Sequence, residues 1–405
     1  MNGRQSENPH GRISPLTLGP DVADTTPRRM APIRYPVSRP SLGSRERALL
    51  LDAFDSGWVS SRGAYVERVT RNFPPLVGAA AGVPCTSGTA ALHLALLALG
   101  TGPGDEVIVP DLTYVAPANA PLLVGATPVL ADVRAHDWAI DPTDVARLIT
   151  PRTRGVIAVH LYGIVADLRE LRALCDRHDL WLVEDCAEAL GAPLAARSPG
   201  AWGELATWSF FGNKVLTSGE GGFVTTRTRA DLIPAADAYR TLAVVPEQHY
   251  VHAHVGLNYR ITNLQCALLC AQMESLAAFR DARAAIHDAY EEALASAFGA
   301  RLLLPGPRPD VCWMYCTLVN ETRLTASRDR VAARLLERHG IDSRPFPRPM
   351  HQLPHLAKGA RGPLGVSARL SRAGLNLPTY VGLEPSDVRT IAAAFVDCLQ
   401  EVIAA

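Results

Sequence analysis

One lysine lies in a stretch whose residue types suit covalent chemistry. Trp208–Gly222 has the sequence WSFFGNKVLTSGEGG, which places Lys214 among apolar and aromatic residues and ahead of several glycines. Apolar surroundings disfavour the ammonium form of a lysine, and the neutral amine is the form that makes an imine with a carbonyl group. A surface-loop lysine before a glycine turn has the same spacing, so Lys214 needs support from other residues.

Three other segments carry polar groups at the ends of apolar runs. Asp185 ends the apolar run LWLVED, and an acid at the carboxyl end of a parallel strand lies where α/β folds bind ligands. Thr86–Thr89 directly precedes an apolar helix, which is a setting that binds phosphate. Tyr114 follows another strand and is placed to stack on a planar ring. Each also has a purely structural interpretation: a helix cap for Asp185 and for Thr86–Thr89, and a core aromatic for Tyr114.

Together these groups indicate one cofactor. A phosphate site, a stacking aromatic, an acid for a ring nitrogen and an imine-forming lysine are the groups that pyridoxal 5′-phosphate requires. We therefore predict that the chain binds pyridoxal 5′-phosphate, which would become pyridoxamine 5′-phosphate halfway through a transamination. The combination is more specific than any of its parts.

The elements that must position these groups alternate between strand and helix patterns. Near-continuous apolar runs, typical of buried parallel strands, occur at Glu106–Pro110, Thr127–Ala131, Gly155–His160, Leu180–Glu184 and Thr207–Phe210. Between them, Ala90–Leu99 is apolar on all sides and predicts a core helix. Asp167–His178 places leucines under a charged face and predicts an amphipathic helix. The repeated βα unit indicates an α/β fold with helices on both sides of the sheet.

The length of 405 residues exceeds what a single core usually supports. We predict a flexible N-terminal extension over residues 1–38, which holds no apolar run of signal-peptide length. A large α/β domain follows over 39–265, and a smaller α+β domain over 266–405. The small domain is predicted to contain a long helix to about Phe298, a strand at Tyr315–Val319 and helices at Arg328–His339 and Pro385–Ile403.

Composition excludes several classes of partner. Forty Lys and Arg balance forty Asp and Glu without a long block of either sign, so neither nucleic acid nor an anionic membrane is an expected partner. The longest apolar stretch is too short to span a bilayer. The eight cysteines include no C-x-x-C pair, which favours reduced thiols and a cytoplasmic protein. His249, His252 and His254 have no acidic or cysteine neighbour, so we predict no metal site.

Several segments resemble one family, the DegT/DnrJ/EryC1/StrS sugar aminotransferases, over most of the chain. The matching segments are Thr86–Thr89, Pro110–Asn119, His160–Gly163, Glu184–Gly191, Ser209–Gly222, Gly256–Arg260, Asn263–Gln265 and Arg344–Phe346. The resemblance implies a pyridoxal-phosphate-dependent transferase fold of type I, like that of aspartate aminotransferase. It has a large mixed-sheet domain and a smaller C-terminal α+β domain.

The resemblance also implies roles for individual residues. Lys214 would form the imine and Asp185 would contact the ring nitrogen, while Tyr114 would stack on the ring and Glu188 would lie beside its hydroxyl. Gly88, Thr89 and Ser209 would hold the phosphate. Asn258 would reach the phosphate in the neighbouring subunit, which implies a homodimer with shared active sites. L-Glutamate would be the amino donor.

Within this group, Ser209–Gly222, Glu188 and Leu370–Pro378 are most similar to the perosamine synthases. Those enzymes aminate C4 of a GDP-linked 4-keto-6-deoxy sugar, so a nucleotide sugar is the expected second substrate. We predict that Trp58, Ser60, Arg344 and His351 bind substrate, with the Arg344 guanidinium suited to an anion. Two alternatives stay open: a different keto-sugar or a keto-cyclitol as substrate, or a non-catalytic protein that keeps pyridoxal phosphate for regulation.

Overall fold

A seven-stranded mixed sheet forms the centre of the larger unit. The computed structural model describes residues 32–194, 198–322 and 327–404. The strands are β1 (Ala81–Cys85), β2 (Glu106–Pro110), β3 (Thr127–Ala131), β4 (Thr153–Val159), β5 (Trp181–Asp185), β6 (Leu205–Ser209) and β7 (Gly222–Thr226). Their spatial order is β1-β7-β6-β5-β4-β2-β3. Strands β2 to β6 pair in parallel, whereas β7 pairs antiparallel with both β6 and β1.

The five predicted strands are confirmed as β2 to β6. All five residues of β2 and of β6 are buried, as expected for parallel strands covered on both faces. Strands β1 and β7 were not predicted. Strand β1 contains Gly82 and Pro84, and β7 begins at Gly222, residues that local preference does not associate with strands. Their antiparallel pairing makes the sheet mixed.

Eight helices cover the sheet in the described part of the larger unit. They are α1 (Ser44–Asp55), α2 (Ala64–Leu76), α3 (Gly88–Ala98), α4 (Val115–Leu123), α5 (Pro142–Leu148), α6 (Arg169–Arg177), α7 (Ile233–Arg240) and α8 (Asn263–Glu274). The predicted core helix is confirmed as α3, whose residues from Ala90 to Leu96 are all buried. The predicted amphipathic helix is confirmed as α6, which buries Leu171 and Leu174.

The smaller unit packs helices on a four-stranded antiparallel sheet. Its elements are α9 (Leu276–Gly299), β8 (Leu303–Leu304), β9 (Tyr315–Val319), α10 (Arg328–His339), β10 (Arg344–Pro345), α11 (Gly365–Ala373), β11 (Gly374–Leu377) and α12 (Pro385–Ala404). The strand order is β10-β11-β9-β8. Tyr290 of α9 stacks on Tyr315 of β9 with ring centroids 4.5 Å apart, and both are buried. Helix α10 ends at Gly340, whose φ of 62° is left-handed.

Helices α8 and α9 lie where the predicted domain boundary at residue 265 falls. Cys266 and Cys270 of α8 share a buried core with Trp208 and Phe210. Leu276 and Phe279 at the start of α9 pack on the same core, whereas Tyr290 further along α9 belongs to the core of the smaller unit. The boundary at residue 265 stays a prediction.

Residues 32–38 pack on the smaller unit, although they belong to the predicted flexible extension. The backbone N–H groups of Arg34 and Tyr35 donate to the Gly340 carbonyl. The Tyr35 hydroxyl donates to Asp387 over 2.8 Å, and Val37 is buried. These contacts between segments distant in sequence order the backbone here. The rest of the predicted extension, residues 1–31, lies outside the described residues.

In the described ranges, no helix combines the length and the apolar character that a bilayer crossing needs. The eight cysteines are free thiols, and seven of them are buried. Burial raises the pKa of the Cys85 and Cys175 thiols to about 12. These thiols therefore act as small apolar side chains at neutral pH.

Candidate active site

A cavity of about 600 Å³ opens where the carboxyl ends of β4, β5 and β6 meet. This edge of a parallel sheet is where α/β proteins bind ligands. The smaller unit closes one wall of the cavity through Trp313, Arg344 and Asn376. Eight of the predicted site residues line the cavity: Gly88, Thr89, Tyr114, Asp185, Glu188, Ser209, Lys214 and Arg344.

Lys214 is held in a turn that follows β6. Its backbone N–H donates to the Phe211 carbonyl over 2.9 Å, and its side chain is only 12% exposed. The Nζ atom donates to Oε1 of Glu188 over 3.3 Å. It also lies 4.1 Å from the centroid of the Trp313 ring, within cation–π range. The amine therefore faces the cavity between an acidic group and an aromatic face.

Asp185 ends β5 and points into the same cavity with few partners. The backbone N–H of Ala187 donates to its carboxyl over 3.0 Å, and the residue is 7% exposed. Burial raises the pKa of Asp185 to about 6, and the Ala187 N–H and the charge of Lys214 offset part of that effect. Few donors satisfy this carboxyl, so a cation beside it would stabilise its charged form.

Glu188 connects the lysine to the loop after β4. The backbone N–H of Tyr162 donates to Oε2 of Glu188 over 2.7 Å, while Oε1 accepts from Lys214. Tyr162 has a left-handed φ of 55°, and that backbone geometry aims its N–H at Glu188. The Glu188 carboxylate is thereby fixed beside the amine.

Glu184, the residue before Asp185, faces away from the cavity and is fully buried. Its carboxylate accepts from the backbone N–H groups of Gly200, Trp202 and Gly203 and from Nε2 of His160. Burial alone would raise the pKa of Glu184, but these donors outweigh it and lower the pKa.

Three side chains that could bind a metal lie close together here: ligand atoms of His160, Glu184 and Cys186 lie within 4.8 Å of one another. The lone pairs of the imidazole and the carboxylate are already used in hydrogen bonds, since His160 Nδ1 accepts from Ala166.

The start of α3 forms a small backbone pocket beside β6. Ser87 caps the helix by accepting from the Ala90 N–H, which leaves the N–H groups of Gly88 and Thr89 at the cavity wall. A Cβ atom on Gly88 would lie 2.9 Å from the Cβ of Ser209. Only glycine allows this approach, which brings the Ser209 hydroxyl next to the helix start. The set of N–H and O–H donors at a helix N-terminus suits a phosphate.

Two further predicted residues line the cavity from opposite sides. Tyr114 precedes α4 and is 65% exposed, so its ring is available to a ligand. Arg344 lies in β10, where it pairs across the strands with Asn376. Both Arg344 and Asn376 reach the cavity wall.

The structure places four predicted residues outside this cavity. Asn258 is exposed and pairs through its backbone with Thr241. Trp58 and Ser60 are exposed, and their carbonyl groups accept from Asn263. His351 is also outside the cavity wall, because its Nδ1 and its backbone N–H both bond to the Asp111 carboxyl at 2.8 Å. Intrachain contacts thus account for the position of His351.

Sequence reasoning missed the aromatic residues that surround the lysine. Trp313 and Tyr162 are both buried and line the cavity. Their rings stack with centroids 6.0 Å apart. Trp313 lies two residues before the predicted strand at Tyr315–Val319, but nothing local indicates that it reaches a lysine of the other unit. The packing of the two units creates this contact.

Comparison with known proteins identifies close relatives. The sequence profile of the DegT/DnrJ/EryC1/StrS aminotransferase family matches residues 40–396. The GDP-perosamine synthase of Caulobacter vibrioides is 40% identical over 364 residues, which cover 89% of this chain and 97% of that protein. The GDP-perosamine synthase of Vibrio cholerae is 39% identical, with 88% and 96% covered.

Two solved structures share the fold over most of the chain. DesI, solved in the presence of its TDP-sugar product, matches with a TM-score of 0.84 and 27% identity. The match covers 93% of this chain and 95% of that one. The aminotransferase TlmJ from Streptoalloteichus hindustanus matches with a TM-score of 0.82 and 28% identity over 91% and 99% of the two chains. The predicted fold, like that of aspartate aminotransferase, is confirmed.

Proposed function

The chain belongs to the DegT/DnrJ/EryC1/StrS aminotransferase family, and on that premise we propose that it aminates a nucleotide-linked sugar. The amino group would pass from L-glutamate to the keto carbon, C4, of a 4-keto-6-deoxy sugar. The proposal is supported by one observation: the Lys214 amine, the Asp185 carboxyl with its single described hydrogen bond, and the helix start at Gly88 and Thr89 line one cavity. We propose GDP as the nucleotide because relatives at 39–40% identity are named GDP-perosamine synthase.

The cavity fits pyridoxal 5′-phosphate. Gly88 and Ser209 approach closely at the start of α3, where a phosphate would lie, and the Asp185 carboxyl in the cavity wall accepts from Ala187 alone among the described residues. When bound, this group supplies a carbonyl carbon and a ring that withdraws electrons. The residues that would hold it are Gly88, Thr89 and Ser209 at the phosphate, Asp185 at the ring nitrogen, Tyr114 on the ring face, Glu188 at the ring hydroxyl and Lys214 at the carbonyl carbon.

Asp185 would keep the ring nitrogen protonated. With a raised pKa of about 6, its carboxyl is already mostly ionised at neutral pH. A protonated nitrogen beside it supplies the charge that the cavity lacks, which favours the carboxylate further. The buried ion pair then holds the proton on the ring.

Lys214 would move protons at the reacting carbon. As a neutral amine, Nζ would take the proton from the α-carbon of L-glutamate and pass it to the former carbonyl carbon of the cofactor. In the second half of the reaction, Nζ would carry a proton from that carbon to the keto carbon of the sugar. Glu188 holds Nζ through the 3.3 Å contact, so the amine stays aimed at the cavity. Its low exposure limits competition by water.

We propose Arg344 as the anion-binding residue of the substrate site. Its guanidinium lines the cavity on a strand that Pro345 stiffens, and it suits either a sugar diphosphate or the carboxylate of L-glutamate. Trp58, Ser60 and His351 stay proposed substrate contacts. Since they lie outside this cavity, they would act on substrate that projects beyond it or in a second copy of the chain.

We propose a homodimer with shared active sites. Asn258 is exposed and does not line the cavity of its own chain, as expected if it reaches the phosphate in a second copy. Exposed apolar side chains near the predicted shared residues support this arrangement: Phe54 is 64% exposed and Trp58 56% exposed. A second copy that covered these two side chains would remove their apolar surface from water.

A direct assay tests the proposed reaction. Purified protein is supplied with pyridoxal 5′-phosphate, L-glutamate and GDP-4-keto-6-deoxymannose. We expect mass spectrometry to detect the amino sugar together with 2-oxoglutarate. Amination of another ketone, such as a 3-keto sugar or a keto-cyclitol, but of no GDP-linked one, would replace the proposed substrate. Binding of pyridoxal 5′-phosphate without any turnover would instead favour a regulatory protein.

The chain contains only two lysines, Lys214 and Lys358, which gives a matched control. Lys358 is exposed in a short turn at Ala357–Gly359. We expect Lys214→Ala to lower turnover by about 10⁴-fold or more, as for loss of a covalent catalytic group. Lys358→Ala keeps wild-type turnover. Equal losses in both variants would rule out a specific role for Lys214.

A further inference from the structure

Trp313 makes two separate contacts with the segment that carries the lysine. Its indole N–H donates to the carbonyl of Asn213, the residue before Lys214, over 2.7 Å. The face of its ring lies 4.1 Å from Lys214 Nζ. One contact fixes the backbone next to the lysine and the other fixes the end of the side chain, so Trp313 restrains Lys214 at both ends.

The position of Trp313 is itself fixed from three sides. Nη1 of the buried Arg283 donates to the Trp313 carbonyl over 2.6 Å. The Trp313 N–H donates to the Val311 carbonyl over 2.7 Å. The ring stacks on Tyr162, whose own N–H holds Glu188. Because Trp313 is held rigidly in the smaller unit, it can fix the position of Lys214 in the larger unit.

We propose that Trp313 is a positioning residue for Lys214. The indole N–H orients the lysine segment, and the ring face holds Nζ at the cavity. Trp313 thereby sets how fast the amine reaches a carbonyl group in the cavity. This inference rests on the proposed function, because the carbonyl group in question is that of pyridoxal 5′-phosphate.

Trp138 provides a matched control. It is buried in the same aromatic group, with its ring centroid 6.3 Å from that of Tyr162 and 5.2 Å from that of Phe346. Its indole N–H has no hydrogen-bond partner in the described part of the chain. Trp138→Phe therefore removes the same atoms as Trp313→Phe but breaks no hydrogen bond, and Trp138→Leu leaves a comparable void.

The first measurement follows attachment of pyridoxal 5′-phosphate to cofactor-free protein. The product is trapped with borohydride, and labelled Lys214 is quantified by peptide mass spectrometry. We expect Trp313→Phe to slow attachment by roughly two- to tenfold, the range for loss of one neutral hydrogen bond. We expect Trp313→Leu to slow it further, because the ring contact is lost as well. The two Trp138 variants attach the cofactor at the wild-type rate.

The second measurement follows acylation of the cofactor-free protein by a small reagent at fixed neutral pH. Exposed Lys358 serves as the internal standard, so the ratio of Lys214 to Lys358 labelling is compared between variants. Without the ring, Nζ loses its cation–π contact and is open to the reagent on that side, so we expect the ratio to rise roughly two- to fivefold in Trp313→Leu. It stays at the wild-type value in Trp313→Phe and in both Trp138 variants.

Opposite changes in the two measurements distinguish positioning from general loosening. Slower cofactor attachment with faster acylation in Trp313→Leu supports the proposal. Wild-type attachment in both Trp313 variants, an unchanged acylation ratio in Trp313→Leu, or equal effects in the Trp138 variants would overturn it. If Trp313→Leu does not fold, Trp313→Phe alone decides through its attachment rate. If wild-type protein attaches no cofactor, the proposed function fails, while the acylation ratio still tests the contact with Trp313.

Discussion

Two consecutive carboxyl groups, Glu184 and Asp185, lie at the end of β5 in opposite environments. Glu184 is fully buried and accepts from three backbone N–H groups and His160. Asp185 is nearly as buried, yet among the described residues its carboxyl accepts only from the Ala187 N–H. Their pKa values accordingly move in opposite directions, lowered for Glu184 and raised for Asp185.

This difference separates a structural carboxylate from a functional one. A buried charge is stable when the fold supplies all its donors, as it does for Glu184. A buried carboxyl that lacks donors destabilises the fold unless a ligand completes its environment. The alternation of side chains along a strand sends Glu184 and Asp185 to opposite faces. One strand end therefore provides both a rigid support and a site for a cation.

We expect the largest loss of stability when the charge of Glu184 is removed, because the fold itself supplies the hydrogen-bond donors to that charge. Glu184→Gln leaves buried N–H groups without a charged acceptor and places an amide NH₂ among donors. We expect the free energy of unfolding to fall by about 3–5 kcal/mol, because several buried hydrogen bonds to a charged group, each worth about 1.5–3 kcal/mol, are weakened together. Denaturant unfolding followed by circular dichroism measures this. A loss below about 1 kcal/mol would show that Glu184 is not a structural carboxylate of this kind.

Removing the charge of Asp185 should lower activity and leave stability intact, the reverse of the effect expected at Glu184. Asp185→Asn keeps an acceptor for the Ala187 N–H but cannot hold a proton on a ring nitrogen. We expect kcat to fall by about 100- to 1,000-fold, the range for loss of one preorganised electrostatic group. The melting temperature of the cofactor-free protein stays the same or rises. A strongly reduced melting temperature together with near-normal kcat would contradict the proposal and would make Asp185 a structural carboxylate.

The contrast also predicts a pH dependence of stability for the cofactor-free protein. Because Asp185 has a folded pKa of about 6 against an ordinary value of 3.8, the folded state binds an extra proton between these pH values. Its contribution to the free energy of unfolding therefore falls as pH rises from about 4 to 6, by about 3 kcal/mol at 1.4 kcal/mol per pKa unit. Glu184, with a lowered pKa, contributes stability that is lost as pH falls. Unfolding curves of wild type and Asp185→Asn should diverge across this window, and parallel curves would contradict the assignment.

The sequence predicted the parts of this arrangement that depend on local pattern. The apolar run that ends in Asp185 marks both a buried strand and its carboxyl end, so the location of the acid followed from the run. Lys214 and Ser209 follow a similar run, and Thr86–Thr89 precedes an apolar helix. Parallel strands bring such ends together, and all three segments indeed contribute to the same cavity wall.

What the sequence did not predict depends on contacts between distant segments. Trp313 reaches Lys214 only because the smaller unit packs on the larger one. Tyr35 and Val37 are ordered by pairing with residues near Gly340 and Asp387, which no local preference indicates. The donors of Glu184 come from a loop at Gly200–Gly203, so its pattern alone could not distinguish it from Asp185.

We expect the smallest loss of stability at a third buried carboxylate, which lies at the amino end of β2, away from the strand ends that line the cavity. Glu106 begins β2 and is held by Arg361, Thr150 and Arg152, with Arg361 donating at 2.7 and 2.9 Å. Hydrogen bonds from Arg361, then from Thr150 and Arg152, lower the pKa of Glu106 to about 2 although burial opposes this. Like Glu184, it accepts from several donors and does not line the cavity that holds Lys214.

We expect Glu106→Gln to reduce the free energy of unfolding by about 1–2 kcal/mol and to leave kcat unchanged. The loss is smaller than for Glu184→Gln because the side chain of Arg152 is 65% exposed, so water replaces part of its contact. Unfolding and kcat measured on the same preparation test both halves of this expectation. A fall in kcat without a loss of stability would mean that the charge of Glu106 influences the reaction in the distant cavity. In that case burial and donor count alone would not separate structural from functional carboxylates in this fold.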